Sequence, residues 1–556
     1  MRPVPSQRHY WAVLILVATV AANAAISSLE VVLTPSQANL LCESYKAQDS
    51  SALPNDTVFG SGSSLWRLHL PAWQSVLASA VRVAGWFTHD PVQIPHLAIL
   101  LLAGLSLLLY LLSMYWLLYR QTRIWSVSVL VAILSTAIFS PRQPAWGIGP
   151  AFAVGPEFLY RALIPLIALL LVRWRHSYLV VAAFFLAGVW GNFEPVSGVT
   201  VLLIMLIGFL ASRRFRPLAL LQGLLGLLAG VIALSPAIFY SIATFYYAGA
   251  KLVRMPLADL RETLLAGGVD VLYPGLLADT LRFLALAAII GTPSLIILFR
   301  LGRYRVRDIS LWVWLTAGAV VVSLGLQGLM QALAVLTGRV PPCLEFIAGL
   351  PIAMLPLWVL FTQAMVSLIR ISRTHRLWTR LALAAFAVIF LASSRNVAPL
   401  RHRVDMAMGT ESSERHSTAL AEAAEMQAIG RWAATTGPGS LFLTTESEPR
   451  YIGRRSVWVN PADVLYFFHL QPQALPEFGD MLDRLNDLLR PAKSSHVDSP
   501  VLVAQGQQLQ RGLFMPGEVY AIVQTSQAPP ADEHLQPVAD PAGQWGKFWR
   551  VYHVLP

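Results

Sequence analysis

The sequence predicts an α-helical polytopic membrane protein, and three observations lead to that prediction. The chain has 556 residues, of which 56% are hydrophobic and only 13% are charged, whereas soluble proteins carry about 25% charged residues. The hydrophobic residues gather in apolar runs long enough to span a hydrocarbon core, roughly 17–25 residues each. Short arginine clusters stand at the ends of these runs. Soluble enzymes, disordered proteins and fibrous proteins are therefore excluded.

About eleven apolar runs are predicted as membrane spans, with ends set to within roughly 2–4 residues. They cover residues 10–29, 94–119, 124–140, 156–172, 177–191, 195–211, 217–240, 282–299, 309–336, 344–369 and 378–394. Every second connection is basic, and Asp308 is the only acidic residue in this basic set. Because short cytoplasmic loops are rich in Lys and Arg, these connections are predicted to be cytoplasmic. The N-terminus is then inside and the C-terminal tail outside.

The first run has two interpretations. Arg2 and Arg8 precede an apolar stretch that ends in Ala22-Asn23-Ala24, which is typical of a cleavable signal peptide. The run is also long enough to remain as a membrane anchor. Both interpretations leave the following segment outside.

Residues 30–93, which we call the first outer loop, contain a predicted amphipathic helix over 71–87. Its apolar residues recur with helical spacing on one face; they are Trp73, Val76, Leu77, Ala80, Val81 and Ala84. Counting this helix as a span would move every basic loop outside. We therefore interpret it as lying on the membrane surface, and the alternative is a lid packed on the bundle.

The composition changes near residue 396, which divides the chain into a membrane domain, 1–395, and an outer tail, 396–556. The tail predicts a helix over 413–435 and further helix over 461–490. Short β-rich pieces lie at 440–445, 456–459, 501–504, 519–525 and 548–554. This alternation predicts an extracytoplasmic α/β domain.

The charge and the two cysteines follow the same topology. The net charge of +11 comes mainly from arginines at span ends, so it indicates orientation and no nucleic-acid partner. Cys42 and Cys343 are both predicted to be outside, where disulfides can form. Pairing between them is one expectation, and two isolated thiols are an equal alternative.

Four stretches carry a resemblance to a known family. They are LPNDTVFGSGSSLWRLHLPAW at 53–73, GPEFLYRALIPLIALLLVRWR at 155–175, GNFEPVSGVTVLL at 191–203 and IGRWAATTGPGSLFLTTESEPRYIGRRSVWVN at 429–460. The chain resembles a family of bacterial GT-C-like multi-pass membrane proteins of unassigned function, within the GT-C glycosyltransferase superfamily. The resemblance implies location in the bacterial inner membrane. It also implies sugar transfer at the outer face from a polyprenyl-phosphate donor. Relatives tend to carry His where this chain has Glu194.

The same resemblance implies a carboxylate in the first outer loop that acts as a base or holds a divalent cation. A hydroxyl acceptor is a poor nucleophile until a base takes its proton. Glu30, directly after the first span, and Asp56, inside the first resembling stretch, are the catalytic candidates. The alternative is that either is an ordinary solvated acid.

Three further residues are candidates at outer span ends. Glu157 and Arg161 lie one helical turn apart, and an ionisable residue at such depth is a functional hypothesis. Glu157 is a catalytic candidate, and Arg161 is a candidate to bind the donor phosphate. A helical ion pair is the equal alternative. Glu194 is predicted to line the same cavity or to cap the next helix.

Two functions remain open at this point. The first is a GT-C glycosyltransferase that binds membrane lipids and a polyprenyl-phosphate sugar. The second is a non-catalytic GT-C-like protein whose tail binds an envelope glycan or a protein partner. A transporter is disfavoured, because no repeat or matched pair of broken spans is visible in the sequence.

Overall fold

A computed structural model describes ten ranges of the chain, which are residues 5–29, 33–138, 154–249, 275–300, 308–337, 346–371, 376–409, 411–489, 497–531 and 533–555. Helices dominate these ranges. In chain order the first three are α1 (Pro5–Ser27), α2 (Pro35–Gln48) and α3 (Pro71–Phe87). The third confirms the helix predicted over 71–87.

The next ten helices form the apolar bundle. They are α4 (Gln93–Thr122), α5 (Trp125–Leu134), α6 (Pro156–Trp174), α7 (Val180–Trp190), α8 (Pro195–Ser212), α9 (Pro217–Tyr247), α10 (Gly275–Arg300), α11 (Ile309–Thr337), α12 (Met354–Ile371) and α13 (Arg376–Ser393). Within the described ranges, seven helices, α1 included, are long and apolar enough to cross a membrane. Three apolar helices are shorter, and α6 carries three charged residues. The chain is therefore a polytopic membrane protein.

Glycines bring α7 and α9 into close contact. A Cβ atom on Gly188 of α7 would lie 2.1 Å from the carbonyl oxygen of Gly230 of α9. A residue larger than glycine at position 188 would therefore push the two helix backbones apart. A Cβ atom on Gly226 of α9 would lie 2.8 Å from the Phe184 ring of α7. Small residues at such positions are a common basis of helix association in membranes.

The basic ends of the helices contact one another. Arg175 forms an ion pair with Asp308. The Arg213 guanidinium donates a hydrogen bond to Nδ1 of His176, and the Arg370 guanidinium donates one to the Thr122 carbonyl. All of these residues lie in or beside connections that the sequence predicts to be cytoplasmic. Described residues of these connections therefore contact one another: those after α6 and α8 and before α11 form one group, and the ends of α4 and α12 form another.

The opposite helix ends contact the first outer loop and the tail. Gln37 donates to the Val154 carbonyl, Gln471 donates to the Ala248 carbonyl, and the Asn396 side chain donates to the Thr136 carbonyl. The basic connections thus contact one another, and the connections between them contact the first outer loop and the tail, as the alternation in the sequence predicts.

The described residues of the tail form six α-helices and five strands. They are α14 (Ala398–Ala407), α15 (Glu411–Ala433), β1 (Leu441–Leu443), α16 (Glu448–Tyr451), β2 (Ser456–Val457), α17 (Val464–Leu470), α18 (Leu475–Leu489), α19 (Ser499–Arg511), β3 (Val519–Gln524), β4 (Leu535–Pro537) and β5 (Trp549–Val554). The strands form one sheet in the order β2-β1-β3-β5-β4. β1 is parallel to β2 and β3, whereas β5 is antiparallel to β3 and β4.

The strand predicted over 501–504 is wrong, because these residues lie in α19. Asp498 caps the helix, and Pro500 stands in its first turn, where a missing N–H costs nothing. Leu502, Val503 and Gly506 form the buried face with helical spacing. Four apolar residues in a row fit a strand and a buried helix turn equally well.

The tail is docked and shares its core with the rest of the chain. Leu443 and Phe467 of the tail belong to the same cluster of buried apolar side chains as Leu41 and Phe59 of the first outer loop. The apolar face of α3 is also buried, with Trp73 only 1% exposed, whereas Trp86 at its end is exposed. The face of α3 predicted to meet the membrane is therefore packed on protein, as in the lid alternative.

Candidate functional site

A buried ion network joins the first outer loop to the tail. Arg450 of α16 is completely buried and makes ion pairs with Asp56 at 2.8 Å and with Asp463 at 2.7 Å. Its Nη1 also donates to the side-chain oxygen of Asn39 on α2. We call these four residues the Arg450 network. Burial alone would lower the pKa of Arg450, but the two aspartates outweigh burial and raise it.

All five N–H groups of the Arg450 guanidinium have acceptors. Nε and one Nη2 hydrogen go to Asp56, one hydrogen on each Nη goes to Asp463, and the remaining Nη1 hydrogen goes to Asn39. The guanidinium carbon also lies 5.2 Å from the centre of the Phe59 ring. Burying a charge costs several kcal/mol unless the charge is paired and fully hydrogen-bonded. The Arg450 guanidinium meets both conditions.

Asp56 is equally occupied. Its two oxygens accept two bonds from Arg450 and one each from the amides of Val58, Phe59 and Val457. A carboxylate offers about four lone-pair sites, so none remains to take a proton from an acceptor. The sequence proposed Asp56 as a catalytic carboxylate, but this arrangement favours a structural role that holds the loop to the tail.

Neighbouring residues extend the clamp. The Asn55 side chain donates to the carbonyls of Gly439 and Met515 and accepts from the Met515 amide. The Thr57 hydroxyl donates to the Trp458 carbonyl. The resembling stretches at 53–73 and 429–460 are therefore partners of each other in the fold.

A second polar cluster begins one helical turn further along α2. Glu43 is fully buried, and its carboxylate accepts a 2.7 Å hydrogen bond from Nδ1 of His69, whose side chain is 30% exposed. Gln74 donates to Glu43 and to the His69 carbonyl. Because Nδ1 donates, Nε2 of the neutral ring is an acceptor. An imidazole held by a buried carboxylate in this way is suited to act as a general base.

Several charges act on His69. Burial would lower its pKa, but Glu43 raises it, and Glu157 and Glu194 raise it further. The pKa of His69 therefore lies above its ordinary value. His469 of α17 shows the opposite effect, because burial and the charge of His69 lower its pKa to about 4. We call Glu43, His69, Gln74, Glu157 and Glu194 the His69 cluster.

Glu157, Arg161 and Glu194 belong to the same neighbourhood. Arg161 pairs with Glu157 at 2.8 Å across one turn of α6, and the Glu157 side chain is 41% exposed. Glu194 caps α8 by accepting from the amides of Val196 and Ser197. Burial and the charge of Glu157 raise the pKa of Glu194. The helical ion pair and the helix cap, which the sequence offered as alternatives to functional roles, are therefore both present, and the functional roles of these residues stay predictions.

The structure does not test Glu30, the pairing of Cys42 with Cys343 or the divalent cation. Glu30 lies outside the described residues, as does Cys343, so pairing with the buried Cys42 stays a prediction. No group of three metal-binding side chains converges within the described part of the chain, so the divalent cation also stays a prediction.

The key residues of the His69 cluster were not singled out from the sequence. The start of α2 could have been predicted from the sequence. Thr34 and Gln37 form a capping box there, and this pattern marks the first turn of a helix. A predicted α2 would have placed Asn39 and Glu43 on one face, four residues apart.

Comparisons with known proteins give no further identity. No family model matches the chain, and no curated protein matches it. The resemblance to GT-C-like proteins therefore stays a prediction from the sequence.

Proposed function

We propose that the chain is a GT-C-like membrane glycosyltransferase that moves a sugar from a polyprenyl-phosphate donor to a hydroxyl acceptor at the outer membrane face. The observation that carries this proposal is the His69–Glu43 pair, in which Glu43 is buried and the His69 side chain is 30% exposed. The charges of Glu157 and Glu194 act on His69, and Arg161 is paired with Glu157. The resemblance supplies the donor class.

In this mechanism His69 Nε2 takes the proton of the acceptor hydroxyl as the new bond from oxygen to the sugar C1 forms. The bond from C1 to the phosphate oxygen breaks, and the lipid phosphate leaves with the bonding electrons. Glu43 holds the imidazole and stabilises the imidazolium that results. Arg161 binds the phosphate, since a guanidinium matches its geometry.

The orientation is part of the proposal. Eleven spans with the N-terminus in the cytoplasm put the tail, 396–556, outside the bacterial inner membrane as an α/β domain. Contacts between described residues of the basic connections support this orientation, because short basic loops stay in the cytoplasm.

Alkaline phosphatase fusions test the orientation. A fusion at residue 410 should be active, because the enzyme folds only outside the cytoplasm, whereas fusions at 214 and 303 should be inactive. An active fusion at 303 would overturn the assignment of sides.

Transfer assays with the purified full chain in nanodiscs test the activity. The probes are a panel of radiolabelled polyprenyl-phosphate sugars with hydroxyl acceptors. His69→Gln should reduce turnover about 100–10,000-fold, the usual contribution of a general base, and should leave donor binding unchanged. His89→Gln is the matched control, because His89 is exposed in the same loop.

Wild-type turnover in the His69→Gln variant would refute the role of His69. If no sugar of the panel is transferred by the wild type, the non-catalytic alternative replaces this proposal, with the tail as a binding domain.

A further inference from the structure

A short helix directly after the last apolar helix has an exposed apolar stripe. Residues Leu400, Val404 and Met408 in and just after α14 are 45%, 48% and 64% exposed. They are spaced four apart, so they lie along one face of the helix. The opposite side contains the buried Pro399.

Two arginines border this stripe. At 100° per residue, Arg401 lies on one side of the stripe and Arg403 on the other, and both are exposed. Arg401 donates to the Ser394 carbonyl and Arg403 to the Leu29 carbonyl. Each guanidinium has five donors, so these bonds anchor the side chains while leaving donors for a phosphate.

The stripe continues an apolar surface of the bundle. Val388 and Ile389 near the end of α13 are 68% and 67% exposed, as expected for residues that face lipid. Only four residues separate the end of α13 from the start of α14. A helix so near the end of a span lies at the membrane surface, where an apolar stripe otherwise meets water.

Contacts with the rest of the chain fix the position of α14. The rings of His402 and His416 lie 4.3 Å apart and tie α14 to α15. Gly409, at φ +67°, makes the turn between the two helices, in a conformation that glycine adopts readily. The bond from Arg403 to Leu29 ties α14 to the end of α1.

We propose that α14 is an interfacial helix that inserts Leu400, Val404 and Met408 into the outer leaflet and binds anionic lipid phosphates through Arg401 and Arg403. An apolar stripe between cationic side chains is the pattern of helices that lie in a membrane surface. Long arginine side chains bury their stems along apolar groups and extend the charge to the headgroups. This proposal does not depend on sugar transfer, but its choice of the outer leaflet rests on the proposed orientation.

Photo-crosslinking tests the apolar stripe. A benzoylphenylalanine residue replaces Val404 in the full chain, reconstituted in nanodiscs of phosphatidylcholine with or without phosphatidylglycerol. Irradiation should give phospholipid adducts at position 404 in several-fold higher yield than at position 419, an exposed alanine of α15. Crosslinked dimers, adducts to another protein or the absence of lipid adducts would each overturn the insertion.

Headgroup dependence tests the two arginines. The adduct yield at position 404 should rise several-fold with phosphatidylglycerol, and Arg401→Gln together with Arg403→Gln should abolish the rise. Arg415→Gln, an exposed arginine on α15, should leave the rise intact. A yield that does not depend on the headgroup in the wild type would overturn phosphate binding by these arginines.

Discussion

The Arg450 network and the His69 cluster lie next to each other and use the same kinds of side chain, but they differ in hydrogen bonding and exposure. Asn39 and Glu43, one turn apart on α2, belong to the first and the second respectively. Arg450 and Asp56 are completely buried and fully bonded, whereas the His69 ring is 30% exposed and one of its nitrogens remains an acceptor. A saturated network stabilises a fold, while a partly exposed pair with an altered pKa can do chemistry.

The largest effect is expected from Arg450→Met. It leaves two buried aspartates without their cation, and such a loss costs about 3–5 kcal/mol. The thermal unfolding midpoint of the full chain in detergent should fall sharply. Adding Asp56→Asn and Asp463→Asn should restore part of it, because the uncompensated charges are then gone. An unchanged midpoint in the single variant would show that the network is not needed for stability.

A middle-sized effect is expected from Glu43→Gln. Because the folded pKa of His69 is raised, its contribution to stability is fully present below the unfolded value of about 6.5. The contribution is lost as the pH rises through the raised folded value. Glu43→Gln should therefore destabilise the chain more near pH 5.5 than near pH 8.5, because pH 5.5 lies about one unit below the unfolded value and the contribution falls as the pH rises.

Histidine NMR on the same variant separates this effect from packing. The His69 pKa should fall in Glu43→Gln, because the main raising charge is gone while burial remains. An equal loss of stability at both pH values, with an unchanged pKa, would remove the basis for a tuned His69.

The smallest effect is expected from Arg431→Gln. Arg431 of α15 also joins the tail to the first outer loop, through a 3.3 Å ion pair with Asp90, but its side chain is 42% exposed. Exposed pairs contribute about 0.2–1 kcal/mol, so this variant is the matched control for Arg450→Met. Equal destabilisation by the two variants would contradict the distinction between buried and exposed pairs.

Periodicity and composition over short stretches of the sequence predicted the helices, because these patterns depend only on neighbouring residues. The helices over 71–87 and 413–435 followed from periodicity and composition, and described residues of the basic connections contact one another. The partner of Arg450 could not be predicted in this way, because Asp56 is 394 residues away in the chain. The strand predicted over 501–504 was wrong because packing against the sheet, rather than local composition, decides short apolar runs.

The candidate site shows the same limit. Glu157, Arg161 and Glu194 were recognised because a charge at a span end is unusual in itself. Glu43 and His69 stand out only when α2 and the start of α3 are brought together in space. No pattern within either segment reports that contact.

The central claim is that the His69 cluster, and not the Arg450 network, receives a lipid-linked sugar. A cryo-EM map of the full chain in nanodiscs, with an added non-hydrolysable polyprenyl-phosphate sugar, tests it most directly. We expect phosphate density within hydrogen-bond distance of Arg161 and sugar density beside Nε2 of His69. Lipid phosphate bound at another part of the surface, with the His69 cluster empty at saturating ligand, would contradict it.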